Sequence, residues 1–299
     1  MSMASAKPPG SAAKFDDQAL TAEVIRSLAQ TTNPRLKFLL TELVGALHGF
    51  VRKTDLTFDE WNTAIDFLTR TGQASTGVRQ EFILLSDVLG VSMLVDAVNH
   101  REREGATETT VLGPFYVANP PHYENGRNIC LDGKGEPMVV RGRVTDTSGA
   151  PIVGATVDAW QTNEDGFYDV QQKGVQPEMN LRGVFTTNDR GEYWFRSAKP
   201  RWYPIPGDGP VGAMLAAMGR SNIRPAHVHF IVRAAGYDDV VTHVFPPDCP
   251  YLDTDAVFGV KESLIGDFQR SEDKAEADRL EFSAPFWTLN WDFALAKTR

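Results

Sequence analysis

The sequence predicts a mainly β protein, a β-sandwich domain preceded by an α-helical one. Three observations carry that prediction. Apolar residues recur at three- and four-residue steps as far as about His100. Beyond a charged connection, Arg101 to Glu108, the period changes to alternation. Clusters of Gly, Pro, Asn and Asp then separate short alternating runs, the spacing of a β-sandwich. With 299 residues, 42% of them hydrophobic, the chain has material for a substantial core. The expected division is a tail over 1–14, a helical domain over 15–108 and a sandwich over 109–299.

Met1 to Lys14 is rich in Ala, Ser, Pro and Gly and lacks the apolar run of a secretory signal, so it reads as a disordered tail. A first helix follows Pro34, where Leu36, Leu39, Leu40, Leu43, Val44, Leu47, Phe50 and Val51 line one face. Thr57 and Glu60 have the spacing of a capping box ahead of Trp61, Ile65 and Leu68. A third helix is expected from Val78 to Asn99, carrying Phe82, Leu85, Val88, Leu89 and Val95. Such stripes ordinarily cover a core. Strands are expected at Val139 to Asp146, Ala155 to Trp160, Gly191 to Phe195 and Val228 to Val232. Thr254 to Phe268 reads as one more short strand or helix, and Trp287 to Phe293 closes the core.

A net charge of −9 argues against nucleic acid and anionic membrane surfaces as partners. No apolar run reaches 18 residues, so no membrane insertion is expected. Cys130 and Cys249 make neither a disulfide framework nor a Cys-x-x-Cys pair, which fits a reducing, cytoplasmic setting. Both read as small buried hydrophobes.

The chemistry gathers around Arg224-Pro-Ala-His-Val-His-Phe230. In a strand His227 and His229 share a face, while Val228 and Phe230 point to the other. Alone, a His-x-His pair is more often two half-exposed sheet residues. Upstream, however, Tyr168 follows Asp165-Gly-Phe and Tyr203 follows Arg201-Trp, each in a turn-like setting. Two phenolates with two imidazoles form a coherent metal site. A phenol with a pKa of about 10 ligates only when a strongly charged ion displaces its proton. Hard oxygen and borderline nitrogen donors suit ferric iron, whereas copper(I) and structural zinc favour sulfur.

Thr110-Val-Leu-Gly-Pro-Phe-Tyr116, Gly166-Phe-Tyr168, Tyr203-Pro-Ile-Pro-Gly-Asp-Gly-Pro-Val-Gly212 and Arg224 to His229 together resemble the intradiol ring-cleaving dioxygenases of the catechol dioxygenase type. The resemblance runs from about Phe15 to the C-terminus. With Val241-Thr-His-Val-Phe245, the wording is most similar to the hydroxyquinol-cleaving branch, since catechol-cleaving relatives usually place Gln where His243 stands.

The resemblance implies a β-sandwich catalytic domain with a helical dimerisation domain. It implies one Fe(III) per subunit, held by Tyr168, Tyr203, His227 and His229, with Tyr203 also taking a substrate proton. Arg224 would aim its guanidinium at the bound ring; otherwise it is a surface ion-pair partner. His243 has two readings, a satisfied sheet histidine or a proton-handling group beside the iron. The implied pocket walls are Leu84, Asp87, Val111, Gly113, Pro114, Phe115, Ile205, Pro206 and Val257. Asp87 would accept from a third ring hydroxyl; otherwise it is a solvated helix carboxylate. The implied partners are an aromatic diol or triol and O2, a second copy bound through the N-terminal helices, and a phospholipid at that interface.

Rivals are cleavage of catechol or chlorocatechol to cis,cis-muconates, cleavage of 6-chloro- or methyl-substituted triols, and a metal-free, transthyretin-like binding module. Tyr116, Tyr193, Tyr237 and Tyr251 read as packing residues, and His48, His100 and His122 as structural.

Overall fold

Local sequence sets the helix boundaries in the computed structural model, which describes residues 16–76, 79–101 and 103–298. The tail expected over 1–14 lies outside these, as does Val78 at the expected start of the third helix. The chain divides into two compact units, one through Leu68 and one from Thr69 onward.

In the first unit, α1 (Asp17–Ser27) is capped by Asp16, whose carboxylate accepts from the Gln18 and Ala19 N–H groups. The sequence reading did not single this helix out. α2 (Pro34–Thr54) starts with Pro34 behind an Asn33 cap and stops at Asp55, at φ 47°. The Thr21 hydroxyl joins α1 to α2 through His48 Nδ1 at 2.9 Å and Arg52 Nη1 at 2.9 Å. α3 (Phe58–Ala74) opens on the expected box, with Glu60 Oε2 accepting from the Thr57 N–H at 2.9 Å.

The third expected helix is two. α4 (Glu81–Val88) and α5 (Val91–His100) are separated at Leu89 and Gly90. Gly90 takes φ +73°, a conformation that suits glycine and ends one helix before the next begins. Apolar periodicity continues through the break, which is why the pattern reads as one helix.

The second unit holds the sheets. β1 (Pro137–Asp146) pairs with β4 (Glu192–Ala198) on one side. On the other it runs parallel to β10 (Phe286–Asn290) and then β11 (Phe293–Leu295). β9 (Asp267–Ser271) borders β10. The second sheet is antiparallel, in the order β3 (Arg182–Thr186), β2 (Thr156–Gln161), β7 (Val228–Arg233), β8 (Val240–Val244). Alternation sends Val140 and Val144 from one sheet, and Val157, Phe185, Val228, Phe230 and Val232 from the other, into one buried core. Val139, on the opposite face of β1, packs with Ala277 and Leu280 near α7 (Lys274–Arg279).

β3 and β8 were not anticipated as strands, nor α6 (Pro210–Ala217) as a helix. Thr254 to Phe268 is neither the strand nor the helix expected. It holds short 3-10 turns at Leu252–Thr254 and Glu262–Leu264, and β9 begins only at Asp267. A two-stranded ribbon, β5 (Tyr203–Pro204) with β6 (Ile223–Arg224), completes the sheets.

Candidate metal centre and pocket

β7 places Val228 and Phe230 in the core, and His229 emerges on the opposite face beside His227, which just precedes the strand. Trp160, opposite His229 on β2, stacks on its ring at 4.5 Å and 8°. Tyr168 arrives by a tight turn after β2. There Asn163 Oδ1 accepts from the Asp165 and Phe167 N–H groups at 3.1 and 2.9 Å. Gly166 (φ +83°) lets the backbone pass where a Cβ would lie 2.8 Å from the Trp202 carbonyl oxygen. Tyr203 comes from the β5–β6 ribbon, directly opposite Arg224.

These elements bring the four expected ligands together. Tyr168 Oη lies 2.9 Å from His229 Nε2, 3.4 Å from His227 Nε2 and 3.3 Å from Tyr203 Oη. The two Nε2 atoms are 3.1 Å apart. His227 Nδ1–H donates to the Pro225 carbonyl at 2.7 Å, so Nε2 presents its lone pair to the cluster. Burial pushes both imidazoles well below their usual range and keeps them neutral, as ligation requires. Burial also pushes the Tyr168 phenol well above its ordinary value, with the neighbouring Tyr203 adding to the effect. Neutral nitrogens and phenol oxygens converging at these distances fit a small, highly charged cation, which alone would make the phenolates stable there.

His243, directly opposite His229 on β8, is fully buried, and its ring lies 4.2 Å from that of His229 and 4.7 Å from that of His227. Its Nδ1 bonds the Thr110 hydroxyl at 2.6 Å, while Nε2 has no partner among the described residues. The three histidines thus form a cluster able to hold a metal.

Beside this cluster lies a pocket of about 220 Å³. All the expected wall residues line it: Leu84 and Asp87 from α4, Val111 and the Gly113-Pro-Phe115 run, Ile205 and Pro206, Arg224, and Val257. Phe115 stacks on Tyr168 at 4.7 Å. Arg224 is no surface residue. It is 3% exposed, and its Nε and Nη2 reach the two Asp255 carboxylate oxygens at 3.2 and 3.4 Å. Asp255 is fixed in turn by the Gly259 N–H, which donates at 2.8 Å. Nor is Asp87 solvated. It is buried, its Oδ1 has no partner among the described residues, and burial raises its pKa against the help of Ser92 and Arg224. Asp255, Arg79 and Glu81 escaped the sequence reading, because none stands in a spacing that marks it; Thr110 was read as the start of the run to Tyr116 but not as the partner of His243.

Residues 111–297 match the family described as Dioxygenase, and residues 33–107 the one described as Catechol dioxygenase N terminus. The chain is 54% identical to hydroxyquinol 1,2-dioxygenase of Rhizobium sp. (strain MTP-10005), over 97% of this chain and 99% of that one. It belongs to the intradiol ring-cleavage dioxygenase family. A second intradiol dioxygenase relative, 6-chlorohydroxyquinol 1,2-dioxygenase of Cupriavidus pinatubonensis (strain JMP 134 / LMG 1197), is 48% identical over 95% of this chain and 99% of its own length. The solved hydroxyquinol 1,2-dioxygenase from Pseudomonas putida DLL-E4 superposes with a TM-score of 0.88 at 46% identity, covering 94% of this chain and 99% of that one. As an intradiol dioxygenase the chain is an enzyme, which sets aside the binding-module reading. Among the described residues no helix is long and apolar enough to cross a membrane.

Proposed function

We propose that this intradiol dioxygenase opens the ring of hydroxyquinol (benzene-1,2,4-triol) with O2. Cleavage falls between the two adjacent hydroxyl-bearing carbons and yields 3-hydroxy-cis,cis-muconate, the enol of maleylacetate. The observation that carries the choice of substrate is Asp87: a buried carboxylate with one oxygen unpartnered among the described residues, lining the pocket beside the donor cluster together with apolar side chains such as Leu84, Ile205 and Val257. A third ring hydroxyl gives that oxygen a donor; catechol has none to give. The relatives named above, which cleave hydroxyquinols, support the same reading.

Tyr168, Tyr203, His227 and His229 would hold one ferric ion per subunit. When bound, that ion supplies positive charge that anchors the substrate's two vicinal oxygens and eases the loss of their protons. Tyr203 Oη, on the pocket side of the cluster, takes one of those protons. Arg224, held rigid by Asp255 and adjacent to Tyr203 across the ribbon, presents a fixed positive charge to the oxygen of the ring as electron density builds there. Phe115, Ile205, Pro206 and Val257 exclude water and clamp the ring plane. His243, against both histidine ligands, steadies their rings.

The proposal extends to a cytoplasmic homodimer built on the helical region 15–108. Leu36, Leu39, Leu43, Leu47 and Phe50 form an exposed stripe on α2 that supports this. A phospholipid on the same stripe is the finer part of it, checked by native mass spectrometry.

The test is anaerobic titration of the ferric-loaded protein with hydroxyquinol and, separately, catechol, followed by oxygen uptake. A red protein whose band moves to longer wavelength at much lower hydroxyquinol than catechol is the expected result. Tyr168→Phe should lose both colour and turnover. Oxygen uptake that survives in that variant overturns the assigned centre, and equal response to the triol and to catechol overturns the assigned substrate.

A further inference from the structure

A second buried charge stands close to the donor cluster and takes no part in the scheme above. Arg182, on β3 opposite Trp160, is 2% exposed. Its Nε donates to Asp169 Oδ1 at 2.7 Å, and its Nη2 lies 2.6 Å from the same oxygen. Asp169 follows Tyr168 directly, and its other oxygen accepts from the Met179 N–H at 3.0 Å. The guanidinium carbon lies 5.8 Å from the centroid of the Tyr168 ring, within the range of a cation–π contact.

Stability alone is a weak reason for such a pair. The cost of stripping water from two ions offsets most of their attraction, and apolar replacements of similar volume are often neutral or better. The placement is what distinguishes it. Arg182, the one charged residue of β3, lies against the phenol whose oxygen sits 2.9 Å from His229 Nε2, buried away from the solvent that would screen it.

We propose that Arg182, with Asp169 as its counterion, is a positioning residue that sets how strongly the Tyr168 oxygen donates to the metal. This rests on the reading of Tyr168 as a ligand. A positive charge at the ring lowers the energy of the phenolate electrons, and Asp169 limits how far. The two side chains thus act on Tyr168 with opposite sign. The effect of Arg182 on Tyr168 runs in the same direction as that of Arg224, against the burial that disfavours the phenolate.

The opposed signs make the test. Wild-type protein, Arg182→Gln, Arg182→Lys and Asp169→Asn are loaded with ferric iron, their metal content is measured, and the visible phenolate-to-iron band is recorded without substrate. Arg182→Gln should move the band to longer wavelength, because the phenolate electrons are held less tightly. Asp169→Asn should move it to shorter wavelength, because the guanidinium is no longer offset, and Arg182→Lys should stay near wild type. If Arg182→Gln fails to fold, the direction in Asp169→Asn decides alone. An ion pair that only braces the fold would lower metal content or thermal stability and leave the band in place. Unmoved bands, or bands moved in the same direction, at full metal content overturn the inference. A colourless wild type at full loading removes the ligand reading instead, and this inference with it.

Discussion

Replacing Asp87 by Asn keeps the size of the side chain and one carbonyl acceptor while removing the charge. A hydrogen bond to an ionised group contributes about 1.5–3 kcal/mol and a neutral one about 0.5–1.5 kcal/mol. The exchange should therefore cost the triol about 1–1.5 kcal/mol of transition-state binding, roughly tenfold in kcat/KM. Catechol, with no third hydroxyl to donate, should be unaffected or slightly favoured. Asp87→Ala leaves the buried hydroxyl with no acceptor, and the preference should then fall by on the order of a hundredfold. Oxygen uptake with each substrate gives the two kcat/KM values, and their ratio is the quantity read. The stability change should have the opposite sign. Burial already disfavours the Asp87 carboxylate, so the neutral Asn should raise the denaturation midpoint even as discrimination drops. A ratio that stays constant while both activities fall together would refute the reasoning and leave Asp87 as a packing residue.

Asp255→Ala removes the counterion of Arg224 and should cost about 3–5 kcal/mol in denaturant unfolding, the cost of leaving a buried charge unpaired. In the same variant kcat should fall by about tenfold or more, since the guanidinium is no longer aimed. Burial pushes the Asp158 carboxyl up to about 6, eased by its bond to Tyr116. The folded chain thus holds that proton more tightly than the unfolded one, and the stability gained is complete below about pH 4 and is lost as pH rises through about 6. Asp158→Asn should flatten that slope, with a gain of at most about 3 kcal/mol above pH 7 in chemical denaturation. Burial and the nearby Asp132 push the Cys130 thiol up to about 12, so alkylation at pH 8 should spare it in the native protein and modify it only on unfolding, as peptide mass mapping would record.

The sandwich was legible because several of the strands that build its core alternate in sequence; Val228 and Phe230 inward with His229 outward is the plainest case. β3 was hidden for a physical reason. Buried on both faces, it carries Arg182 and Gly183 where an alternating pattern would place apolar side chains. β8 was visible as the run Val241 to Phe245 but not as a strand, since His243 and Thr242 are both buried and break the apolar-polar rhythm. The break between α4 and α5 rests on one glycine that periodicity ignores. At the site, residues with distinctive local wording were accessible. Asp255 was not, because its role comes only from the fold bringing it to Arg224, 31 positions away.

The pocket's two sides are not independent. α4 starts with Glu81, whose fully buried carboxylate accepts from Arg79 Nε at 2.8 Å and from the Val211 N–H at 3.2 Å. Arg79 Nη1 also reaches Asp208 at 3.0 Å. Asp208 and Val211 lie on the stretch that leads from Tyr203 through Ile205 and Pro206 into α6. The carboxylate satisfies a free N–H at the start of that helix, where negative charge is favoured. Gly209 makes the approach feasible, because a Cβ there would lie 2.3 Å from Glu81 Oε1. This clasp ties the helix that carries Leu84 and Asp87 to the loop that carries Tyr203. The wall proposed to meet the third hydroxyl is therefore held in register with the oxygen proposed to take the first proton. A substitution that shifts α4 bodily would disturb chemistry and selectivity together, whereas an isosteric change at Asp87 disturbs selectivity alone, and that separation is what gives the Asp87→Asn ratio its meaning.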